Sequence, residues 1–375
     1  MLSTFNIQNF KCFIDQDIEF RKLTILAGAN SVGKSTVIQS LLLAKMSLRT
    51  EKNIELNDVY RLNLGNTQEV LNRDANENFI KLKLENFFSL SDYIKIQIFL
   101  EVPKSIDSYH LIVQSIELPE QYKNRNVKIT NPPHFSNLYY LNAERIGPRL
   151  SSQISTQEYL HVGYSGEFTM QVLEKIAEDK IDKEKAFDEI DKDLRYRTQV
   201  QLWMNFIIPG VEVNIPKLYE KVRTLEMTFG QSSPTNVGFG ISYVLPIVLN
   251  GLLAEKNSLF IVENPEAHLH PFGQSRIGQF LAKISASGVQ VVIETHSEHV
   301  INGIRIASIE GIISNEEVLI NFFSKEEGNK QPKIEKIEIN QMGDLTKFPF
   351  GFFDQSIHDT TTIIKARRAK KNTLI

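Results

Sequence analysis

The segment from Gly28 to Thr36 constrains the fold most strongly, because it fits the pattern G-x-x-x-x-G-K-[ST]. Residues 22–27 before it are predicted to form a short buried strand, and residues 36–46 after it are predicted to form a helix. This strand–loop–helix order suits phosphate binding, because glycines turn backbone N–H groups toward an anion and the helix N-terminus adds partial positive charge. The sequence therefore predicts a nucleotide site on an α/β fold.

The same pattern assigns roles to individual residues of the loop. Lys34 is expected to reach the β- and γ-phosphates, and the Ser35 hydroxyl is expected to bind Mg²⁺. The other predicted nucleotide contacts in the loop are Asn30, Ser31, Val32, Gly33 and Thr36. ATP and Mg²⁺ are the expected ligands, but no motif that reads the base is visible, so GTP stays open as an alternative.

Composition narrows the class of protein. The net charge is −3 over 375 residues, so no global basic field indicates nucleic acid. The single cysteine, Cys12, excludes an internal disulfide framework and suits a reducing compartment. No apolar run reaches the ~20 residues that span a bilayer. We expect a cytoplasmic protein with no membrane contact.

The pattern of residues changes along the chain. Residues 93–102 and 109–118 alternate apolar and polar side chains, which predicts half-buried antiparallel strands. A loop is predicted at 121–133, and a solvated helix is predicted over the charge-dense segment 180–197. From residue 239 onward, helical and strand patterns alternate as in a parallel α/β sheet.

These changes predict four parts of the chain. They are an N-terminal ATPase lobe with the phosphate loop and an antiparallel β subdomain (1–150), a mainly helical insertion (151–230), a C-terminal ATPase lobe (231–315) and a small C-terminal domain (316–375).

A second motif is the apolar run 259–262, which ends in Glu263. An acid at the tip of such a strand can hold Mg²⁺ directly or through water. The next residue is Asn264, an amide that cannot act as a general base. Glu266 is therefore predicted to position the attacking water. Two alternatives stay open: Glu263 serves both roles, or hydrolysis is slow.

A third motif places His296 just past the apolar run 291–293. A histidine there can hydrogen-bond a γ-phosphate or the attacking water, and Glu294 is a nearby alternative base. His268 and His270 form an H-x-H pair, but no further cysteine or clustered acid completes a metal site. These two histidines are expected to shape a turn and a dimer contact.

A fourth motif is the pair Gly238 and Gly240, which opens a predicted helix about 20 residues before the carboxylate strand. Its glycines and helix N-terminus make a second anion-binding surface. The alternative is a plain glycine-containing loop that caps the helix. Pro246 lies within this helix and is expected to tighten or kink its first turns.

The four motifs in this order resemble the ABC ATPase superfamily, in its SMC, RecF and OLD branch rather than among membrane transporters. The resemblance implies an ABC-type P-loop core, a mixed sheet flanked by helices, with an antiparallel β subdomain and a helical insertion. It also implies that the glutamate which usually follows the strand carboxylate is replaced here by Asn264.

The resemblance carries roles onto further residues. Lys11, in an opening strand similar to that of the branch, is expected near the nucleotide, and Gln68 is offered as a glutamine-loop residue that binds the metal. The signature segment would cap the γ-phosphate of a second copy, and its residues are Gly238, Phe239, Gly240 and Ser242. It departs from the family pattern, since Phe239 replaces a glycine and the serine before the glycines is absent.

Residues 140–148 and 343–355 are similar to a narrower bacterial group of compact ATPases with a small C-terminal domain of unknown function, often linked to anti-phage defence. OLD-type nucleases carry a Toprim domain with clustered carboxylates, and residues 297–375 show no such cluster. No intrinsic nuclease is expected. Arg145, in the first of these segments, is a candidate phosphate or partner contact, with a surface salt bridge as the alternative.

These inferences favour an ATPase whose ATP-dependent dimerisation gates a partner effector, such as a nuclease, in anti-phage defence. One alternative is an ATP-dependent DNA-binding or repair clamp of the RecF/SMC type. Another is a regulatory nucleotide binder with slow turnover, which Asn264 suggests. Nucleic acid stays a possible ligand because the segment 365–371 is basic, although a solvated helix end is the simpler interpretation.

Overall fold

The computed structural model describes residues 1–50, 52–89, 92–105, 108–117, 137–154, 160–187, 193–353 and 355–373. The loop predicted at 121–133 lies outside the described residues. No helix in the described part of the chain is long and apolar enough to cross a bilayer.

The strands are, in chain order, β1 (Leu2–Phe10), β2 (Phe13–Glu19), β3 (Leu23–Gly28), β4 (Asn53–Glu55), β5 (Phe79–Ser89), β6 (Asp92–Glu101), β7 (His110–Glu117), β8 (Leu138–Leu141), β9 (Ser151–Gln153), β10 (Lys217–Tyr219), β11 (Thr224–Glu226), β12 (Leu259–Glu263), β13 (Gln290–Thr295), β14 (Val318–Ser324) and β15 (Lys333–Ile337). The α-helices are α1 (Lys34–Ser47), α2 (Thr67–Val70), α3 (Thr169–Ile176), α4 (Tyr196–Ile207), α5 (Phe239–Leu253), α6 (Pro271–Ala286), α7 (Glu298–Ile309) and α8 (Gln355–Thr373).

The central sheet has the strand order β15-β14-β3-β13-β12-β8. Strands β8, β12, β13, β3 and β14 run parallel, and only β15 is antiparallel. The middle strands β3, β13 and β12 are buried along almost their whole length because both faces of the sheet are covered. Leu23 and Ile25 face one core, whereas Leu26 faces the other. This mixed sheet flanked by helices confirms the expected α/β core.

An antiparallel sheet, in the order β2-β1-β5-β6-β7-β4, covers one face of the central sheet together with α1. The segments predicted as half-buried strands form β6 and β7, which pair with each other. Ile96 and Ile98 alternate toward the shared core, as the period of two required. The predicted antiparallel subdomain is therefore present.

The opposite face of the central sheet is covered by helices α3 to α7. Residues 151–230, expected to be mainly helical, contain α3 and α4 and also the three-stranded sheet β10-β11-β9. Helix α5 begins at Phe239 with Gly238 as its N-cap, and Pro246 lies inside it. The prediction that the glycines open a helix is therefore confirmed.

The charged segment 180–197 was predicted as a helix, and for its described residues that prediction is wrong. Within residues 180–187 and 193–195, the described part of this segment before α4 begins at Tyr196, the one helical element is the 3₁₀ turn Lys183–Lys185. Asp193 accepts a 2.6 Å hydrogen bond from the Thr198 hydroxyl and also bonds the backbone N–H of Arg195. Such local side-chain bonds compete with helix formation, so the charges stabilise an ordered turn instead.

Candidate nucleotide site

A cavity of about 400 Å³ lies at the carboxyl ends of β3, β13 and β12, the edge where open α/β sheets bind ligands. Every predicted nucleotide contact except Val32 lines it; these residues are Lys11, Asn30, Ser31, Gly33, Lys34, Ser35 and Thr36. Val32 is buried. Glu263, Glu294 and His296 line the same cavity from the neighbouring strands. The sheet thus brings the first three sequence motifs together.

The phosphate loop owes its shape to two glycines with positive φ. Gly28 has φ 137°, and a Cβ there would lie 2.2 Å from the carbonyl oxygen of Phe323. Gly33 has φ 101° and is the N-cap of α1, where no side chain caps the helix and no acid occupies the first turn. The N–H groups of this helix start are therefore available to an anion.

Lys34 is 3 % exposed, and its ammonium folds back on the loop. Its Nζ donates hydrogen bonds to the carbonyl oxygens of Gly28 (3.1 Å) and Ala29 (2.6 Å). Burial lowers the pKa of Lys34, and the carboxylates of Glu294 and Glu266 oppose that effect. The ammonium of Lys34 is therefore bound by two neutral carbonyl oxygens, and a charged phosphate is a stronger acceptor that can replace them.

Ser35 contacts Glu294, for which the sequence predicts only a role as an alternative base. Its Oγ donates a 2.8 Å hydrogen bond to Oε1 of Glu294, which is 4 % exposed. The second oxygen of that carboxylate, Oε2, is buried without a hydrogen-bond partner. Burial, together with the nearby charge of Glu263, raises the pKa of Glu294 to about 7.

The donor set fits Mg²⁺, a hard cation that prefers hydroxyl and carboxylate oxygens. In the part of the chain that the structure describes, no group of three or more His, Cys, Asp or Glu could hold a metal ion. In proteins Mg²⁺ keeps several waters and is bound through one or two carboxylates plus substrate phosphates, and Ser35, Glu263 and Glu294 line the cavity with donors of this kind.

Glu263 lies at the tip of β12, directly opposite Glu294 of β13 in the parallel register. Its Oε1 accepts a 2.8 Å hydrogen bond from the Tyr140 hydroxyl. Burial raises the pKa of Glu263, and hydrogen bonds from Tyr140 and the backbone N–H of Ala143 oppose that rise. A half-buried carboxylate, Glu263, and a buried one, Glu294, thus stand side by side at the sheet edge.

Glu266 lies outside the cavity lining, and both its oxygens are engaged. Oε2 accepts a 2.8 Å bond from the Thr295 hydroxyl, and Oε1 accepts a 2.8 Å bond from the backbone N–H of His296. Glu266 therefore ties the turn after β12 to the end of β13. The His296 ring lines the cavity, and burial together with nearby Lys34 lowers its pKa.

Arg145 is buried rather than placed at the surface, so a surface salt bridge is excluded. It is 4 % exposed, and it donates hydrogen bonds to the carbonyl oxygens of Glu263 (2.7 Å) and Asn264 (2.6 Å). Burial lowers its pKa to about 10. The sequence indicates Arg145 as a candidate contact residue but not its contact with β12, because residues 145 and 263 meet only through the pairing of β8 with β12.

The signature segment lies away from the nucleotide cavity of its own chain. None of its residues Gly238, Phe239, Gly240 and Ser242 lines that cavity. Phe239 is 55 % exposed, and Ser242 lines a separate cavity of about 600 Å³. Gln68 also lies elsewhere, exposed on the short helix α2.

The two histidines after the carboxylate strand shape the following turn. The ring of His268 packs 4.6 Å from that of Tyr243 and 5.5 Å from that of Phe239 on α5. His270 is the N-cap of α6, and its side chain accepts from the N–H of Phe272. The turn therefore packs against the start of α5, the helix that begins within the signature segment and is called the signature helix below.

Comparisons with known proteins agree with this architecture. Residues 147–301, which include the signature and both carboxylate strands, match the family described as AAA ATPase domain. Residues 313–362 match a family described as Protein of unknown function (DUF3696). None of the curated proteins matches the chain.

Two of the many solved structures that match this chain illustrate the shared fold. One is an SmcHead bound to the C-winged helix domain of ScpA, which is 11 % identical with a TM-score of 0.54 and covers 91 % of this chain and 98 % of its own. The other is the Smc head domain with an extended coiled coil bound to the C-terminal domain of ScpA from Pyrococcus furiosus, also 11 % identical with a TM-score of 0.54, and it covers 98 % of this chain and 99 % of its own. The chain therefore has the fold of an SMC-type ABC ATPase head, and its AAA ATPase domain match supports ATPase activity.

Proposed function

We propose that this chain binds ATP with Mg²⁺ and hydrolyses it at a site shared by two copies of itself. The observation that carries the proposal is the convergence of Lys34, Ser35, Glu294, Glu263 and His296 on one cavity, while the signature helix opens elsewhere on the surface.

The proposal assigns a role to each of the main charged and polar groups of the cavity. Lys34 leaves its loop carbonyls for the β- and γ-phosphates, and the N–H groups at the start of α1 bind the same anion. Ser35 and a buried carboxylate hold the metal. When bound, Mg²⁺ neutralises charge on the phosphate oxygens. His296, at the cavity lining, hydrogen-bonds the γ-phosphate or the attacking water.

We place the attacking water at Glu263 rather than at Glu266, which was the sequence-based expectation. Glu263 lines the cavity, whereas both oxygens of Glu266 already accept hydrogen bonds from Thr295 and His296. Asn264 beside it supplies no base, so turnover depends on a carboxylate already fixed by Tyr140. Slow hydrolysis is the expected consequence.

The second copy supplies what the cavity lacks. A γ-phosphate bound in one chain meets no signature residue of that chain. The N-terminus of α5 presents Gly238, next to which a Cβ would find open space, and the exposed ring of Phe239. A free helix N-terminus is a ready anion site, so it complements the open side of the nucleotide in a second copy.

Mass and nucleotide binding test this proposal together. We expect Glu263→Gln, which removes the proposed water-positioning acid, to be monomeric without nucleotide and dimeric with ATP and Mg²⁺ by light scattering. Lys34→Ala should abolish nucleotide binding and dimer formation, whereas Lys52→Ala, at an exposed lysine, should behave as wild type. Intact ATP binding with no change of mass would contradict the shared site.

The output of this ATP cycle is the control of a partner protein. The two solved SMC heads are bound to domains of ScpA, and we propose by analogy that this chain gates a separate effector, such as a nuclease in anti-phage defence. Co-purification with the products of neighbouring genes, with and without ATP, tests this. A partner bound equally in both conditions would contradict ATP gating.

A second candidate is an ATP-dependent DNA-binding clamp. One observation favours it: residues 358–367 of α8 are all exposed and continue into a basic helix end. Removal of residues 365–375 should then weaken DNA binding and flatten its salt dependence. A salt-dependent gel shift, performed with and without ATP, separates this function from effector gating.

A further inference from the structure

Glu294 occupies a strand that lies between the phosphate loop and the expected metal-binding acid. β13 pairs with β3 on one side and with β12 on the other. In that register Glu294 lies opposite Leu26 of β3, the strand that leads into the phosphate loop, and opposite Glu263 of β12. Glu294 is thus one strand nearer to the loop than Glu263.

This position of Glu294 brings its carboxylate into direct contact with Ser35 of the phosphate loop. The Ser35 hydroxyl, which the loop pattern assigns to Mg²⁺, donates its 2.8 Å hydrogen bond to Oε1 of Glu294. The other oxygen, Oε2, is buried beside the cavity without a hydrogen-bond partner. A buried carboxylate oxygen left unpaired is costly, so a ligand that arrives in the cavity gains by pairing with it.

Glu263, in contrast, is committed to other donors. Its carboxylate accepts from the Tyr140 hydroxyl and the Ala143 N–H, and its carbonyl oxygen accepts from Arg145. These contacts fix it toward β8 rather than toward the loop. The acid that touches the metal-binding hydroxyl in this fold is therefore the one on β13.

We infer that Ser35 and Glu294 form the protein side of the Mg²⁺ site, and that Glu263 acts on the attacking water without contacting the metal. The inference rests on the proposed function, since it presupposes a nucleotide in the same cavity. It reassigns the metal carboxylate from the conventional strand tip to the neighbouring strand.

The test compares nucleotide affinity with and without the metal. The dissociation constant of a non-hydrolysable ATP analogue is measured by calorimetry in MgCl₂ and in EDTA, and the ratio of the two values reports the metal contribution. Glu294→Gln should reduce this ratio by about tenfold or more, whereas the matched variant Glu263→Gln should keep the wild-type ratio. Glu294→Asp, which retains the charge on a shorter side chain, should reduce the ratio less than Gln does.

The outcomes separate the inference from the proposed function. If Glu263→Gln reduces the ratio of the two dissociation constants, the assignment is wrong, whatever the effect of Glu294→Gln. The assignment is also wrong if Glu294→Gln keeps the wild-type ratio. Thermal melting shows whether each variant is folded, and Glu294→Asp serves as the reporter if the Gln variant is not. Failure of the wild type itself to bind the analogue, or binding by Lys34→Ala as tight as wild type, would instead overturn the proposed function.

Discussion

The guanidinium of Arg145 lies 5.3 Å from the ring centre of Tyr243 on the signature helix. The same guanidinium donates hydrogen bonds to the carbonyl oxygens of Glu263 and Asn264. One buried cation therefore contacts both the acid strand of its own nucleotide site and the helix proposed to serve the second copy. We therefore expect a displacement of β12, which carries Glu263, to change the contact of Arg145 with Tyr243 on α5.

Arg145→Met should lower the free energy of unfolding by about 3 kcal/mol, because carbonyl groups that now pair with a charged donor would be buried unpaired. Arg149→Met is the matched control, since Arg149 is exposed only four residues later. Urea denaturation of both variants measures the difference. If both variants lose the same free energy of unfolding, the hydrogen bonds of Arg145 to the carbonyl oxygens of Glu263 and Asn264 do not stabilise the fold.

Gly240→Ala and Gly238→Ala should have different effects although the two residues share one motif. A Cβ at Gly240 would lie 2.7 Å from the carbonyl oxygen of His268, whereas a Cβ at Gly238, with φ −61°, would meet open space. We expect Gly240→Ala to cost about 1–3 kcal/mol of stability through overpacking. Gly238→Ala should cost about 1 kcal/mol or less as a poorer N-cap, and should instead weaken ATP-dependent dimerisation.

Thermal or urea unfolding measures the first effect, and light scattering with ATP measures the second. If Gly238→Ala dimerises as wild type does, the N-terminus of α5 does not contact the second copy in the way proposed.

Lys185 should make stability depend on pH in the alkaline range. It is 3 % exposed and donates to the carbonyl oxygens of Leu252 (3.0 Å) and Ala254 at the end of α5. Burial lowers its pKa to about 8 from 10.5. Between these values the unfolded chain binds more protons, so the free energy of unfolding rises with pH across this window, and the burial penalty is fully present below it.

The measurement is the difference in unfolding free energy between wild type and Lys185→Met, taken at pH values across that window. The difference should change in favour of wild type by at most about 3 kcal/mol as the pH rises from 8 to 10.5. A difference that is constant with pH would mean that Lys185 titrates alike in both states.

Glu266 and His296 should behave as one unit in hydrolysis. If Glu266 acts by holding the backbone N–H of His296, then Glu266→Gln and His296→Ala each slow phosphate release, and the double variant is little slower than the worse single one. Steady-state phosphate release from the three variants measures this coupling. If the reductions in the rate of phosphate release are additive in the double variant, Glu266 acts directly on the attacking water, as the sequence alone predicts.

Local features of the chain were predictable from the sequence where one motif or one periodicity decides them. The turn of residues 28–36 depends on glycines at fixed positions, and the buried strands β12 and β13 contain the apolar runs 259–262 and 291–293, so both are recognisable without tertiary information. The helix predicted over 180–197 failed because the bonds made by Asp193 are local but not periodic.

The pairing of functional groups was decided only by the tertiary structure. Ser35 and Glu294 are 259 positions apart and meet because β13 inserts between β3 and β12. Arg145 reaches Glu263 because β8 pairs with β12. The sequence by itself determined that a phosphate loop, two strand-tip acids and a glycine-led helix exist, since each is a local pattern. Which acid contacts the Ser35 hydroxyl depends on strand order, a property of the whole sheet that no single segment encodes.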